Sequence, residues 1–343
     1  MVFPHLPDSP ITALDAEEWS ALGGSPLAIV DLQERDAQSV ARRLTHQTQA
    51  IVLGVDRVGE CPSIDEEAFD CLLTSRQSAV RPWVSIAAER IDKALETLQR
   101  MVDAAPVAGS VLIRVLRINA RLDLRDALDV ESLAFSTLLA GSAFAQWRDR
   151  QARTDPASQP QGPLVSYARN ADQVTLTLTH QASRKAMSAA MRDALFEALA
   201  AVCDDPSRPG LILRGEGRCF SVGGELAEFG TATDLAMAHA IRTARSCVRL
   251  LADLEDRAEV FLHGACIGSG LEIPAAAARR IAAPRTLFQL PELSMGLIPG
   301  AGGTVSVPRA IGRHRTAWMV LSGQRISAAT ALEWGLVHEI SKQ

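Results

Sequence analysis

Two glutamates stand in a stretch of this sequence that is otherwise rich in glycine and apolar residues. The segment 261–303 contains Glu272 and, twenty residues later, Glu292 within the run Leu-Pro-Glu-Leu. A carboxylate among apolar neighbours is costly unless it is paired or takes part in a reaction. Both glutamates are therefore candidate functional residues.

Two glycine-rich turns each follow a short apolar strand and lead into a helix. One turn carries glycines at 264, 268 and 270 before a helix predicted to start near Leu271, with Ser269 at its entrance. The other follows a strand at 210–214 and carries Val222 before two glycines. Such turns present free backbone N–H groups to an anion. A pair of N–H groups from two turns is the arrangement that a developing oxyanion needs, and one such donor contributes ~3 to 4 kcal/mol in the transition state.

Alternating strands and helices predict a parallel sheet with helices against it in the first half of the chain. Short runs rich in β-branched residues predict strands at 27–32, 50–55, 82–87 and 111–116. Helical spacing predicts helices at 34–44, 64–73 and 91–102. The second half repeats the alternation, with a strand at 173–179 and a helix at 188–202 that Ser188 caps. The fold class is therefore α/β.

A long helix over 124–150, with a break at Gly141-Ser142, ends the first half. The segment 154–163 then has the proline, glutamine and serine content of an exposed linker. We predict an N-terminal α/β domain over 1–153, this linker, and a second domain over 164–343.

Composition limits the class of protein. The 343 residues carry a net charge of -5 without an extended basic cluster, so we expect no nucleic-acid or membrane partner. The six cysteines form no metal-binding pattern, which indicates reduced thiols, no metal site and a cytoplasmic protein. The first residues have neither the basic flank nor the apolar core of a signal peptide.

Three ordered motifs carry a family resemblance over about residues 164–340. The runs RCFSVGGELAEF, HGACIGSGLEI and FQLPELSMGLIPGAGGT resemble the motifs of the crotonase (enoyl-CoA hydratase/isomerase) superfamily. The resemblance implies a crotonase-like ββα spiral in the C-terminal half and an acyl-CoA thioester substrate. Coenzyme A would be part of that substrate, and no separate cofactor is expected.

The resemblance also implies roles for individual residues. Val222 and Ser269 match the positions whose N–H groups hold the thioester oxygen, and Glu272 and Glu292 match the two glutamates that grip one water in hydratases. We expect Glu292 to act as the acid for the α-carbon and Glu272 as the base and water holder, although these roles could exchange. Residues expected to contact the substrate or its coenzyme A are Arg184, Lys185, Ala186, Arg218, Gly223 and Gly268. The 300–303 loop is interpreted as a packing element.

The sequence departs from the family pattern in ways that leave alternatives open. Ser269, Glu225 and His263 replace a usual glycine, aspartate and asparagine, and the chain stops at Gln343, where the family continues into covering helices. The helix at 131–150 is similar to a covering helix, so we expect the N-terminal part to supply a lid over 124–150. A homo-oligomer, trimer or hexamer, is expected by resemblance. An isomerase, an acyl-CoA hydrolase and a non-catalytic acyl-CoA-binding subunit remain alternatives to a hydratase.

Overall fold

The computed structural model describes residues 11–151 and 162–341. Most of the predicted linker, 154–161, lies outside the described residues. The strands are β1 (Leu27–Asp31), β2 (Ile51–Asp56), β3 (Cys71–Thr74), β4 (Val84–Ser85), β5 (Val165–Asn170), β6 (Gln173–Leu178), β7 (Gly210–Gly215), β8 (Ala258–Leu262), β9 (Ala265–Ile267), β10 (Arg279–Ala282), β11 (Leu287–Gln289), β12 (Ile326–Ser327) and β13 (Glu339–Ile340). The helices are α1 (Ala13–Glu18), α2 (Ala37–Gln47), α3 (Ile91–Ala104), α4 (Pro106–Asn119), α5 (Leu124–Leu139), α6 (Ser142–Arg150), α7 (Ala189–Cys203), α8 (Leu235–Ala244), α9 (Cys247–Asp253), α10 (Ser269–Glu272), α11 (Gly303–Ile311), α12 (Arg313–Ser322) and α13 (Ala328–Trp334).

The N-terminal sheet is parallel throughout, in the order β1-β2-β3-β4. Successive side chains of a strand point to opposite faces. Val52 accordingly packs in a small core with Leu44 of α2, whereas its neighbour Leu53 joins the main core with Leu95 of α3. That main core contains residues of both halves of the chain, so the sheet is joined to the rest of the molecule by a continuous apolar interior.

Two predictions for the N-terminal half are wrong. The run 111–116 is not a strand but the middle of α4, which starts at Pro106 and buries Leu112, Ile113 and Leu116. A short apolar run does not distinguish a strand from a buried helix. The run 64–73 is not a helix: Asp65 caps a single 3₁₀ turn, and β3 then enters the sheet with all four of its residues buried. The other predicted strands and helices are confirmed within a few residues.

The C-terminal half is built around a six-stranded sheet in the order β13-β10-β8-β7-β6-β5. Only the β5–β6 pair is antiparallel. The side chain of Ser188 accepts a hydrogen bond from the Met191 N–H at 3.1 Å, which confirms the predicted cap of α7.

A smaller sheet, β12-β11-β9, fixes the segments that carry the two glutamates. β9 and β11 are parallel neighbours, and just beyond β9 the Gly268 N–H donates to Gln289 O at 2.9 Å. Glu272 follows β9 on α10, and Glu292 follows β11 on a 3₁₀ turn. Because the carboxyl ends of parallel strands meet at one edge of a sheet, both glutamates leave the sheet on the same side.

The predicted helix over 124–150 is confirmed, with its break, as α5 and α6 joined at a bend of 64°. The bend lets α6 turn onto the second half, where a Cβ on Gly296 would lie 2.7 Å from Ala143 Cβ. Phe144 stacks on Trp147, which meets the ring of Phe229 edge-on. No single helix of the described ranges is long and apolar enough to cross a membrane, and only this bent pair reaches that length together.

Candidate active site

The two glycine-rich turns lie side by side. Ser221, just before one turn, forms a parallel bridge with Cys266, just before the other. The Ile267 N–H donates to Ser221 O at 3.1 Å, and a Cβ on Gly223 would lie 2.8 Å from Ile267 O. The backbones of the two turns therefore approach as closely as van der Waals contact allows.

Val222 and Ser269 border one cavity, each from its own turn. Outside the regular strands and helices, no backbone hydrogen bond of residues 11–151 and 162–341 is donated by either amide. Ser269 is the first residue of α10, where an N–H has no partner within the helix. The buried Ser269 hydroxyl also has no hydrogen-bond partner. The site thus offers polar donors from both turns to a ligand.

Gly268 connects the turn to the two carboxyl groups. Its backbone angles, φ +50° and ψ −124°, are ones that residues with a side chain rarely adopt. A Cβ at this position would lie 2.8 Å from Glu292 Oε1 and 3.8 Å from Glu272 Oε1. Both carboxyl groups therefore converge on the same small space beside Ser269.

Glu272 is held by the loop before α11. Its Oε2 accepts hydrogen bonds from the N–H groups of Ala301 at 2.7 Å and Gly303 at 3.0 Å. The residue is buried, and burial raises the pKa of its carboxyl well above the ordinary value, with a further rise from the negative charges of Glu292 and Glu131. The backbone donors fix the orientation of Glu272 and leave its Oε1 directed toward Gly268.

Glu292 is also buried but lacks comparable donors to its side chain. Its Oε2 is buried without a hydrogen-bond partner. Burial, and then the charge of Glu131, raise the pKa of Glu292 to about 8. A carboxyl group with such a pKa carries a proton at neutral pH and is able to give it to a substrate.

Glu131 is a third buried glutamate, and the sequence analysis missed it. From α5 its Oε1 accepts from the Gly302 N–H at 2.6 Å, and its Oε2 accepts from the N–H and hydroxyl of Thr304 at 2.7 and 2.6 Å. Burial raises its pKa to about 7. The available signal was its position four residues after Ala127 and three after Leu128, on the buried face of an amphipathic helix. The 300–303 loop thus binds two carboxylates, which is more than the packing role that we predicted.

A cavity of about 1040 Å³ opens beside these groups. It is bordered by residues 182–184 and 186–189, by 222–226 and 228–230, by 267–269, by half of the residues of α8, and by Glu272 and Glu292. The N-terminal half contributes side chains of α5, namely Leu128, Glu131, Ser132, Phe135 and Leu139.

The structure brings together some of the predicted substrate contacts but not all of them. Arg184, Ala186, Gly223 and Gly268 border the cavity. Lys185 does not: its side chain is buried, and Nζ donates to Glu216 O. Arg218 is exposed and also lies outside the cavity lining. Among the residues that the structure describes, no three His, Cys, Asp or Glu side chains are placed to hold a metal ion.

About half of the chain is similar to known proteins. The family model for enoyl-CoA hydratase/isomerase matches residues 169–343, half of the chain. A probable enoyl-CoA hydratase of Bacillus subtilis (strain 168) is 35% identical over 178 residues, which cover 48% of this chain and 65% of that protein. A fatty acid oxidation complex subunit alpha of Shewanella sp. (strain W3-18-1) is 32% identical over 161 residues, 43% of this chain and 22% of that protein.

Solved structures give a similar coverage. The enoyl-CoA hydratase of Thermoplasma volcanium GSS1 is 28% identical with a TM-score of 0.49, over 53% of this chain and 73% of that chain. An enoyl-CoA hydratase of Mycobacterium smegmatis is 27% identical with a TM-score of 0.47, over 52% and 70% of the two chains. The predicted α/β class is confirmed, and the family match falls on the residues in which the three motifs were found. The chain belongs to the enoyl-CoA hydratase/isomerase family.

Proposed function

We propose that this protein adds water across the double bond of a 2-enoyl-CoA thioester. The observation that carries the proposal is the convergence of Glu272 Oε1 and Glu292 Oε1 on Gly268, next to the turn that bears Ser269. The buried atoms without a protein partner at this point, Glu292 Oε2 and Ser269 Oγ, are polar atoms that a water and a polar substrate group would satisfy.

In the proposed reaction, the N–H groups of Val222 and Ser269 hold the thioester oxygen. Attack on the β-carbon moves negative charge onto that oxygen, and preorganised donors stabilise the charge as it forms. Ser269 replaces the glycine usual in the family, yet it keeps the N–H that this role needs. Ser269 is buried, so a hydrogen bond to its N–H is electrostatically stronger than one made in bulk water.

Each of the two glutamates takes part in one proton transfer. Glu272 accepts a proton from the water as the water oxygen bonds to the β-carbon, and Glu292 gives its proton to the α-carbon. The net change is the addition of one water molecule, and the proton on Glu272 returns to Glu292 between turnovers. Burial raises the pKa of both carboxyl groups, and their hydrogen bonds distinguish them. The Ala301 and Gly303 N–H groups act against the rise in the pKa of Glu272, whereas Oε2 of Glu292 has no such donor.

Loss of the conjugated thioester absorbance of crotonyl-CoA tests the proposal directly. We expect Glu292→Gln and Glu272→Gln each to lower the hydration rate by roughly 10²- to 10⁴-fold. Glu96→Gln, on the exposed face of α3, is the matched control and should keep the parental rate. If Glu292→Gln hydrates as fast as the parent, the assignment is wrong.

Products separate hydration from the alternatives within the family. An isomerase would move the double bond without consuming water and would need only one of the two carboxylates. A hydrolase would release free coenzyme A. Calorimetry that shows acyl-CoA binding with no turnover on any acyl chain would favour a non-catalytic binding subunit. The two converging carboxyl groups favour hydration over these outcomes.

We also propose that α5 and α6 of the N-terminal half act as the lid of the site. Five side chains of α5 border the cavity, and α6 packs on the 3₁₀ turn that starts at Glu292. Removal of residues 1–153 should then expose an apolar face and abolish acyl-CoA binding. A soluble, active fragment that starts near Leu164 would refute the lid.

A further inference from the structure

Arg242 is a half-buried cation in the cavity wall, on α8. Its Nη1 donates to the hydroxyls of Ser132 at 2.7 Å and Ser136 at 3.1 Å, and to Ser132 O at 3.2 Å. The centre of its guanidinium lies 4.7 Å from the centroid of the Phe135 ring. All three partners belong to α5, so the two helices hold the arginine side chain in one orientation.

One edge of the Arg242 guanidinium is left without a protein partner. Within the described residues, Nε and Nη2 make no hydrogen bond, and neither is among the fully enclosed polar atoms. These two nitrogens lie on the edge opposite to Nη1 and present parallel N–H groups, which is the geometry that a carboxylate accepts.

Arg242 also lacks an ion pair with a described residue, in contrast to Arg192 and Arg245 of the same cavity. Arg192 forms an ion pair with Asp193 at 2.8 Å, and Arg245 forms ion pairs with Asp193 and Glu197. Arg184 is exposed. Arg242 forms no ion pair with a described residue, and burial lowers its pKa, although Glu131 attracts it. A buried, unpaired cation is costly unless a ligand provides the counter-charge.

Glu131 attracts Arg242 but makes no ion pair or hydrogen bond with it. Both of its oxygens already accept hydrogen bonds from the loop before α11, three in all. The position that remains for an anion is the open edge of Arg242.

We propose that Arg242 is a specificity residue that binds a carboxylate at the far end of the acyl chain. This proposal rests on the proposed function of the cavity as an acyl-CoA site. The substrate class would be a 2-enoyl-CoA whose acyl chain carries a terminal carboxylate. Phe135 contacts both parts of the site. Its ring packs against the Arg242 guanidinium and also lies against Gly300, beside the residues whose N–H groups hold Glu272.

The experiment measures binding by calorimetry, so it does not depend on turnover. The probes are saturated acyl-CoA thioesters of increasing length, in pairs that end in a methyl group or in a carboxylate. At the best length we expect the carboxylate member to bind the parent protein on the order of 10- to 100-fold more tightly, as a charge-assisted bidentate bond would give. Equal affinities at every length would overturn the proposal.

Variants separate a ligand role of Arg242 from a purely structural one. The readout is the ratio of the affinities within each methyl and carboxylate pair, so a loss of affinity common to both members through α5 cancels. Arg242→Gln should bring this ratio to about one, whereas Arg242→Lys should retain part of the preference. Arg245→Gln, at an arginine of the same wall with its own ion pairs, should keep all of it. A preference that persists in Arg242→Gln contradicts the proposal. If Arg242→Gln does not fold, the affinities of the parent protein for methyl-ended and carboxylate-ended thioesters still test the proposal.

The outcomes also distinguish this proposal from the proposed function. If the carboxylate thioesters bind preferentially but no 2-enoyl-CoA is hydrated, the hydratase proposal fails and the Arg242 site stands. If hydration proceeds with equal binding of both members of every pair, the Arg242 site fails and the hydratase proposal stands.

Discussion

Glu131 and Glu272 bind alternate backbone N–H groups of one loop. Ala301 and Gly303 donate to Glu272, whereas Gly302 and Thr304 donate to Glu131. Four successive amides at the start of α11, which would have no partner within the helix, are thus satisfied by two carboxylates from opposite halves of the chain. The N-terminal half therefore takes part in the framework of the candidate site.

Replacing Glu131 by glutamine should destabilise the fold and slow the reaction. Glu131 accepts three hydrogen bonds through its two carboxylate oxygens, whereas the amide of glutamine has only one oxygen that can accept. A buried donor would therefore lose its partner. We expect a loss of roughly 2 to 4 kcal/mol in the free energy of unfolding, measured with denaturant. We also expect a lower turnover number, because the loop orients Glu272. Asp126→Asn, an exposed change on the same helix, should alter neither quantity appreciably.

The stability of the protein should fall as the pH rises from about 4.5 to about 8. Burial raises the pKa of Glu292 from its ordinary 4.5 to about 8, so in this window the folded state holds a proton that the unfolded state has lost. The contribution of Glu292 to the free energy of unfolding is therefore most favourable below the window and is lost as the pH rises across it. Glu292→Gln should show a shallower decline of melting temperature with pH. An equally steep decline in the variant would show that Glu292 does not titrate in this range.

The rate of hydration should fall as the pH rises through about 8. The proposed mechanism needs Glu292 in its acid form, and ionisation removes the proton that the α-carbon receives. The turnover number measured against pH should show this descending limb. A rate that stays constant well above this pH would assign the proton donor to another group.

Replacing Gly268 by alanine should impair catalysis as well as folding. The new Cβ would lie 2.8 Å from Glu292 Oε1 and would displace that carboxyl group. We expect the turnover number to fall at least 10-fold, equivalent to about 1.4 kcal/mol. Gly323→Ala is a suitable control because Gly323 also has a positive φ, +60°, yet an added Cβ there meets only Met101 Cε at 3.8 Å. The control should lose stability and keep its turnover number.

The two halves should stay associated after the chain is cut between them. Buried apolar residues of both halves form one continuous core, and its burial does not depend on the covalent connection. A protease site placed within 154–161 and then cleaved should leave a complex that elutes as one species in size-exclusion chromatography. Separation of the fragments without denaturant would show that the connection holds the halves together.

Local patterns in the sequence were sufficient to predict the turns that border the candidate site. Glycines after strands predicted both turns, and carboxylates among apolar residues identified Glu272 and Glu292 as candidate functional residues. Their joint role in one site was implied by the family resemblance and stays a prediction. The same signals failed for 111–116, where a helix buried on most of its surface has the composition of a strand. The alternation of apolar runs still indicated the α/β class.

The sequence by itself determined the α/β class, the three family motifs and the pair of candidate glutamates. Only the tertiary structure decided that Glu131, Ser132 and Arg242 border one cavity, with Ser136 accepting a hydrogen bond from Arg242. The physical reason is that helical periodicity shows which face of a helix is buried but not what lies against that face. The partners of α5 are about 100 residues or more away in sequence, and packing alone brings them together.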